Sequence, residues 1–239
     1  MQENRNIRDL KNIVDSYMSR VPMVHEHCDR CLAAARWHAN AVLMVVDAAF
    51  DSIGLNYFQS VVPRVELFRL QYVETGLINS MEDLAVTKDT ELKNIWRNAR
   101  SWKVAREIAA YLASLKQKHL LDDRQALIHW ARQAPLEGWQ KDPIGSIKGV
   151  GINTYQYLRM MGGVDTVMPD KIVKKVIYEI LDRAGIERPR TDIDFVSLLE
   201  RLAPLTGYRA IELCWMTWLV QSEAGLSRTE KYASLLPQI

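Results

Sequence analysis

Two stretches carry residue types and spacings that could act on a ligand: "SIKGVGINTYQYL", Ser146 to Leu158, and "MPDKIVKKV", Met168 to Val176. In the first, Gly149 and Gly151 flank Val150. Glycines without side chains let the backbone turn tightly and bring its amides close to a phosphate, and a following helix directs its positive dipole end to the same place. The chemistry of such a turn is anion binding, with Lys148 before it and Asn153 and Thr154 after it as polar companions. A plain helix-to-helix turn accounts for Gly-x-Gly equally well. In the second stretch Asp170 follows Pro169 and opens an amphipathic run. A fixed carboxylate there could stabilise developing positive charge and orient or deprotonate water. The helix dipole, with Lys171 and Lys174, is expected to favour its ionised form. Asp after Pro is also an ordinary helix N-cap.

Two further groups are candidates. Between Lys93 and Lys118 the basic residues Lys93, Arg97, Arg100, Lys103, Arg106, Lys116 and Lys118 face one acid, Glu107. Interleaved with Trp96 and Trp102, they could track phosphates; a solvated helix face is the plainer account. "HEHCDRC" with His38 downstream supplies His25, His27, Cys28, Cys31 and His38, all zinc-ligand types. On one continuous helix Cys28, Cys31 and His38 would share a broad face, but no second ligand pair stands at familiar spacing and zinc is not expected. Trp37, Trp130 and Trp139 are candidates for stacking on a base, whereas Trp215 and Trp218 stand at helical spacing with Leu219 and read as core.

The elements that must position these residues are helical. Apolar residues recur every three or four positions, as in Ile7, Leu10, Val14 and Met18 or Ile193, Val196, Leu199 and Leu202, and strand signals are nearly absent. Helices are predicted over 5–19, 24–37, 40–51, 56–74, 81–86, 89–98, 101–118, 122–134, 143–147, 152–161, 170–184, 192–203 and 207–224, with a short turn near 228–235. Asp89, Ser101, Asp122, Asp170 and Asp192 stand where N-caps are wanted; Gly54, Gly76 and Gly162 stand where helices should stop. Pro63 should kink its helix or restart it.

The composition sets outer limits. With 239 residues, 48% hydrophobic and 25% charged, the chain has globular rather than disordered composition, and a net charge of +2 decides nothing about nucleic acid. Its longest apolar run, "AVLMVV", is far shorter than a membrane span, "MQENRNIRDLKN" has no signal region, and three cysteines cannot form a fully paired framework. A cytoplasmic, monomeric protein without membrane contact is expected.

The order Ile147, Lys148, Gly149, Val150, Gly151, a helix from 152, then Gly162, Gly163 and Asp170 resembles the helix-hairpin-helix motif of the DNA glycosylase superfamily that includes endonuclease III, adenine glycosylase and the alkylpurine glycosylases. "LKNIWRNARSWKVAREIAAYL" is similar to the family's paired helices before the hairpin, and "RAIELCWMTWLVQSEAG" to its closing helix; the likeness spans roughly 40–225. It implies an all-α fold of two helical domains with a cleft between them: a barrel at 36–163 ending in the hairpin, and a second domain from 1–35 plus 164–239. It further implies DNA, duplex or single-stranded, as partner, held by Lys148, Gly149, Val150, Gly151, Asn153, Thr154 and Lys171. Asp170 would be the catalytic carboxylate for N-glycosidic hydrolysis in base excision repair, and the carbonyls of Gly145, Ile147 and Val150 would hold Na or K.

Three departures narrow this. Asn153 stands where lyase members carry a Schiff-base Lys, so a monofunctional glycosylase is expected. "VLMVVDAAFDS" lacks the Gln many relatives use to fill the gap left by an extruded base. Past Cys214 no cysteines remain, so no iron-sulfur cluster is expected. A DNA-binding protein of the same fold without catalysis is the alternative.

Overall fold

The computed structural model of the protein describes residues 2–52, 56–223 and 226–239. It is mostly helical and divides into two compact units, one formed by residues 1–32 and 165–238, the other by 33–164 with the terminal Ile239. Among the described residues no helix is long and apolar enough to cross a membrane.

The unit made from both chain ends contains α1 (Gln2–Met18), α2 (Val24–Leu32), α11 (Lys171–Arg183), α12 (Asp192–Thr206) and α13 (Ala210–Leu219). Leu10, Val14 and Met18 lie buried on the face of α1 that packs on α11 and α12, while α13 packs on α2, α11 and α12. Ser222–Glu223 and Leu226–Ser227 form a minimal antiparallel ladder, β1 and β2, before α14 (Arg228–Lys231), where no strand was predicted.

The continuous unit holds α3 (Arg36–Ala39), α4 (Ala41–Asp51), α5 (Val62–Phe68), α6 (Met81–Val86), α7 (Asp89–Leu92), α8 (Ala99–His119), α9 (Asp123–Gln133) and α10 (Ile152–Met161). Helix α4 is buried from Ala41 to Phe50 and packs against α5, α6, α8, α9 and α10. It carries one charged group into that core, Asp47, whose Oδ2 accepts from Trp37 Nε1 at 2.7 Å and from the Tyr57 and Tyr157 hydroxyls at 3.0 Å each, with Arg36 Nη2 at 3.5 Å. Burial raises the Asp47 carboxyl, and the Arg36 guanidinium and the three donors oppose that rise.

This network accounts for the largest departure from the predicted elements. The helix predicted over 24–37 stops at Leu32, and Ala34, Trp37, His38 and Ala39 adopt left-handed backbone. Such residues cost about 1–2 kcal/mol each. The turn delivers the Arg36 and Trp37 side chains to Asp47, so hydrogen bonds to a buried carboxylate offset the strain. His38 consequently does not extend the α2 face that bears Cys28 and Cys31.

Other departures are local. The predicted 56–74 helix is composite: π-helical turns at Tyr57–Val61 and Arg69–Val73 flank α5, and Pro63 stands where the first π-helical turn passes into α5, restarting the helix there. Helix 89–98 ends at Leu92, and Asn98, not Ser101, caps α8 through Ser101 N. Thr191, not Asp192, caps α12, and α13 starts at Ala210 and ends at Leu219, inside the predicted 207–224. Asp122 caps α9 in a reciprocal capping box with Gln125. Lys88, not Asp89, stands at the N-cap of α7, and Gly54 lies outside the described residues.

Candidate functional site

The turn before α10 is built by Asp142. No helix forms over the predicted 143–147; Pro143–Ser146 are turn residues. Pro143 supplies no N–H, and the nearly buried Asp142 carboxylate takes the amides that follow, Ile144 N at 2.9 Å and Gly145 N at 3.3 Å, together with Trp130 Nε1 of α9 at 3.1 Å. The turn is thereby fixed to α9. Gly145 is required because a Cβ there would stand 1.9 Å from the Trp139 carbonyl oxygen.

The two motif glycines do different things. Gly149 has φ +116, and a Cβ on it would lie 2.9 Å from Val104 Cγ2 and 3.1 Å from Arg100 Nε, so it is glycine for backbone conformation and for close packing on α8. Gly151 has an extended backbone, φ −105 and ψ 173, which any residue adopts, and a Cβ on it would meet nothing within 4 Å. Neither fold nor packing asks for glycine there. It opens α10 with no side-chain cap, and the first i→i−4 bond is Tyr155 N to Gly151 O at 3.0 Å, so the amides of Ile152, Asn153 and Thr154 precede the helical ladder. Lys148 is exposed and Asn153 half-buried, whereas Thr154 is only 3% exposed and has its main-chain N–H to offer.

The basic run sorts by partner. Lys116 is held by Glu82 and Asp123 at 2.9 Å each, Arg106 donates to Thr87 O at 3.1 Å, and Lys103 pairs with Glu107 at 3.6 Å. Arg100, exposed in the first turn of α8, stands where a cation opposes the helix dipole by roughly 0.3–1 kcal/mol, and that turn has no acid to offset it. Trp96 and Trp102 are buried against Phe50, and Trp102 Nε1 donates to Trp96 O at 2.8 Å, so they do not interleave with the cations at the surface.

Of the three stacking candidates, Trp37 and Trp130 are buried and bonded to Asp47 and Asp142. Trp139 is half-exposed, tilted against Tyr155 at 5.5 Å between ring centroids.

In the other unit Asp170 is the N-cap of α11. Its Oδ1 accepts from Ile172 N at 2.6 Å and Val173 N at 2.8 Å, and its Oδ2 accepts from Trp218 Nε1 at 2.9 Å. The extended segment leading to it is pinned along one face of α13: Asp165 Oδ1 accepts from Ile211 N at 2.8 Å, Met168 N donates to Cys214 Sγ at 3.5 Å, and Asp170 meets Trp218. The spacing 211, 214, 218 is the helical repeat read by an extended chain. Trp215 is core, but Trp218 is half-exposed, with Arg228 over its ring at 5.1 Å.

Burial raises the Asp170 carboxyl, against the opposing pull of the Val173 and Ile172 amides, the Trp218 indole and Lys174. The ionised form is therefore less favoured than the helix start alone implies. Lys174 is engaged by Asp192, and Lys171 is exposed.

The cysteines Cys28, Cys31 and Cys214 are buried free thiols, and burial pushes Cys28 and Cys214 well up. Among the described residues no group of three or more His, Cys, Asp or Glu side chains is arranged to hold a metal ion. A shallow cavity of about 340 Å³ lies between α12 and the loop that joins α11 to it, where Arg188, Arg190 and Arg201 stand with Glu187 and Asp194; none of these was expected to act.

Comparison of the chain with protein-family models, with curated proteins and with solved structures returned no match. The functional reading therefore rests on the chemistry of the two sites.

Proposed function

We propose that the protein is a helix-hairpin-helix DNA glycosylase that hydrolyses the N-glycosidic bond of a damaged or mispaired base and leaves the sugar-phosphate backbone whole. The observation that carries this reading is Gly151: a glycine that neither its φ nor its packing explains, at the uncapped start of α10, with open space where its side chain would be. A phosphate oxygen fits that space and takes the amides of the first turn. Lys148 adds exposed charge beside it, and Val150, Asn153 and Thr154 take part through the same turn; in the other unit Lys171 is an exposed cation next to Asp170 that would meet the same strand.

In hydrolysis the sugar gains positive charge as the base leaves. A carboxylate held by the Ile172 and Val173 amides keeps its place beneath the ring, stabilises that charge and directs water to the carbon. Asn153 cannot form a Schiff base, so no lyase step passes through it. The carbonyls of Gly145, Ile147 and Val150 are an oxygen-only, uncharged donor set that suits Na or K; Ile147 O accepts Val150 N at 3.0 Å and keeps a second lone pair. A cation there would add positive charge beside the phosphate.

One observation favours a non-catalytic DNA-binding protein instead: both Asp170 oxygens are already engaged, Oδ1 by the Ile172 and Val173 amides as in any N-cap and Oδ2 by the Trp218 indole. Oligonucleotides bearing deaminated, oxidised or alkylated bases and mismatches, duplex and single-stranded, separate the two. Asp170→Asn should abolish base release while binding persists. Base release by the wild type that survives in Asp170→Asn removes Asp170 from the mechanism, and binding with no release on any substrate favours the second reading. Borohydride should trap no covalent adduct.

A further inference from the structure

We infer that Arg100 is a phosphate contact and that the Gly149 turn and the start of α8 form one surface for the DNA backbone, in which the far end of the basic run takes no part. The inference rests on the DNA-binding reading above and deepens it. The sequence presents seven cations over 26 residues as a single run; the fold divides them. Lys103, Arg106 and Lys116 are committed to Glu107, to the Thr87 carbonyl, and to Glu82 and Asp123. Arg100 is exposed in the first turn of α8, a turn with no acidic residue, and Arg97 and Lys93 are exposed just ahead of it.

Gly149 lets the hairpin come this close. Its missing Cβ leaves the room, 3.1 Å from Arg100 Nε, in which the turn packs on α8. The same contact puts a five-donor fork beside the turn that carries Lys148 and precedes the α10 amides. A cation in the positive first turn of a helix is unfavourable for the free protein, and an anion bound beside it turns that into attraction. Arg suits this place better than Lys because its planar fork grips two oxygens of one phosphate. Lys118, about 27 Å further along the same helix, lies beyond this surface.

The test is anisotropy of a labelled DNA duplex titrated with full-length protein across a salt series. Removing one phosphate contact lowers the slope of log K against log salt by about 0.9. Arg100→Ala should show that fall and a several-fold loss of affinity. Arg100→Lys should recover the slope but only part of the affinity, and Lys118→Ala should match the wild type. Retained ellipticity and a cooperative melt at or above the wild-type midpoint for Arg100→Ala establish that the variants are folded. If Lys148→Ala lowers the slope and Arg100→Ala does not, DNA binding stands and this inference falls. Equal losses in Arg100→Ala and Lys118→Ala mean diffuse charge and also overturn it. If the wild type shows no salt-dependent binding, the DNA reading itself fails.

Discussion

Asp170 shows how far a residue's neighbours decide its chemistry. Its place was legible, because Asp after Pro and before an apolar-periodic run is a helix start. Its ionisation was not, because the two controlling facts, burial and the Trp218 indole 48 residues away, are tertiary. Both have a measurable signature. With burial holding the carboxyl above the ordinary aspartate value of 3.8, the native state takes up the proton at a higher pH than the unfolded chain does. Asp170's protonation therefore favours the native state at low pH, and that contribution is lost as pH rises through the raised pKa. The proposed catalysis runs the other way, since it needs the ionised form. Base release should fall on acidification at a pH above 3.8, in a range where Asp170 itself does nothing to lower the melting temperature. Trp218→Phe removes a donor to the charged form, so the acid limb of the pH–rate profile should move to higher pH, at a stability cost of about 1.5–3 kcal/mol. An unmoved acid limb in that variant would separate Asp170 from the rate.

At the scale of elements, helices with a clean repeat and local stop signals were read to the residue, as at 81–86 and 152–161. Two of the misreadings fall where a carboxylate overrides local helix preference: Asp47 draws the chain into left-handed turns after Leu32, and Asp142 replaces a short helix with a capped turn. The glycine pair was legible as a motif but not as two separate roles, since φ and free space do not show in sequence. Substitution separates them. Gly149→Ala should destabilise by about 1–3 kcal/mol, since it strains a left-handed residue and presses on Val104. Gly151→Ala should leave stability nearly unchanged, because a weaker cap costing up to about 1 kcal/mol is offset by about 0.4–1 kcal/mol of lost unfolded-chain freedom. It should nonetheless weaken DNA binding, its methyl standing in front of the α10 amides. Thermal melts and anisotropy on the two variants check this, and a Gly151→Ala variant that binds normally would return the turn to plain packing.

At the scale of the whole molecule, the two compact units differ in how the chain makes them. Residues 33–164 are one uninterrupted segment, and the contacts described for α4, the Asp47 network, the Asp142 turn and the Arg100 face join residues of that segment. Residues 1–32 and 165–238 must find each other across that insert, and Asp170 and Trp218 belong to them. A segment of about 130 residues with its own buried helix is large enough to fold alone. Expressed by itself, 33–164 should be helical and melt cooperatively. It should bind duplex DNA with a salt dependence lowered by Arg100→Ala as in the full chain, yet release no base, because the carboxylate is not in it. Loss of the cooperative melt would mean that the central segment depends on the chain ends. Binding without any Arg100 dependence would mean that the anion-binding chemistry lies outside the hairpin and α8, and base release by the fragment would place catalysis on a residue other than Asp170.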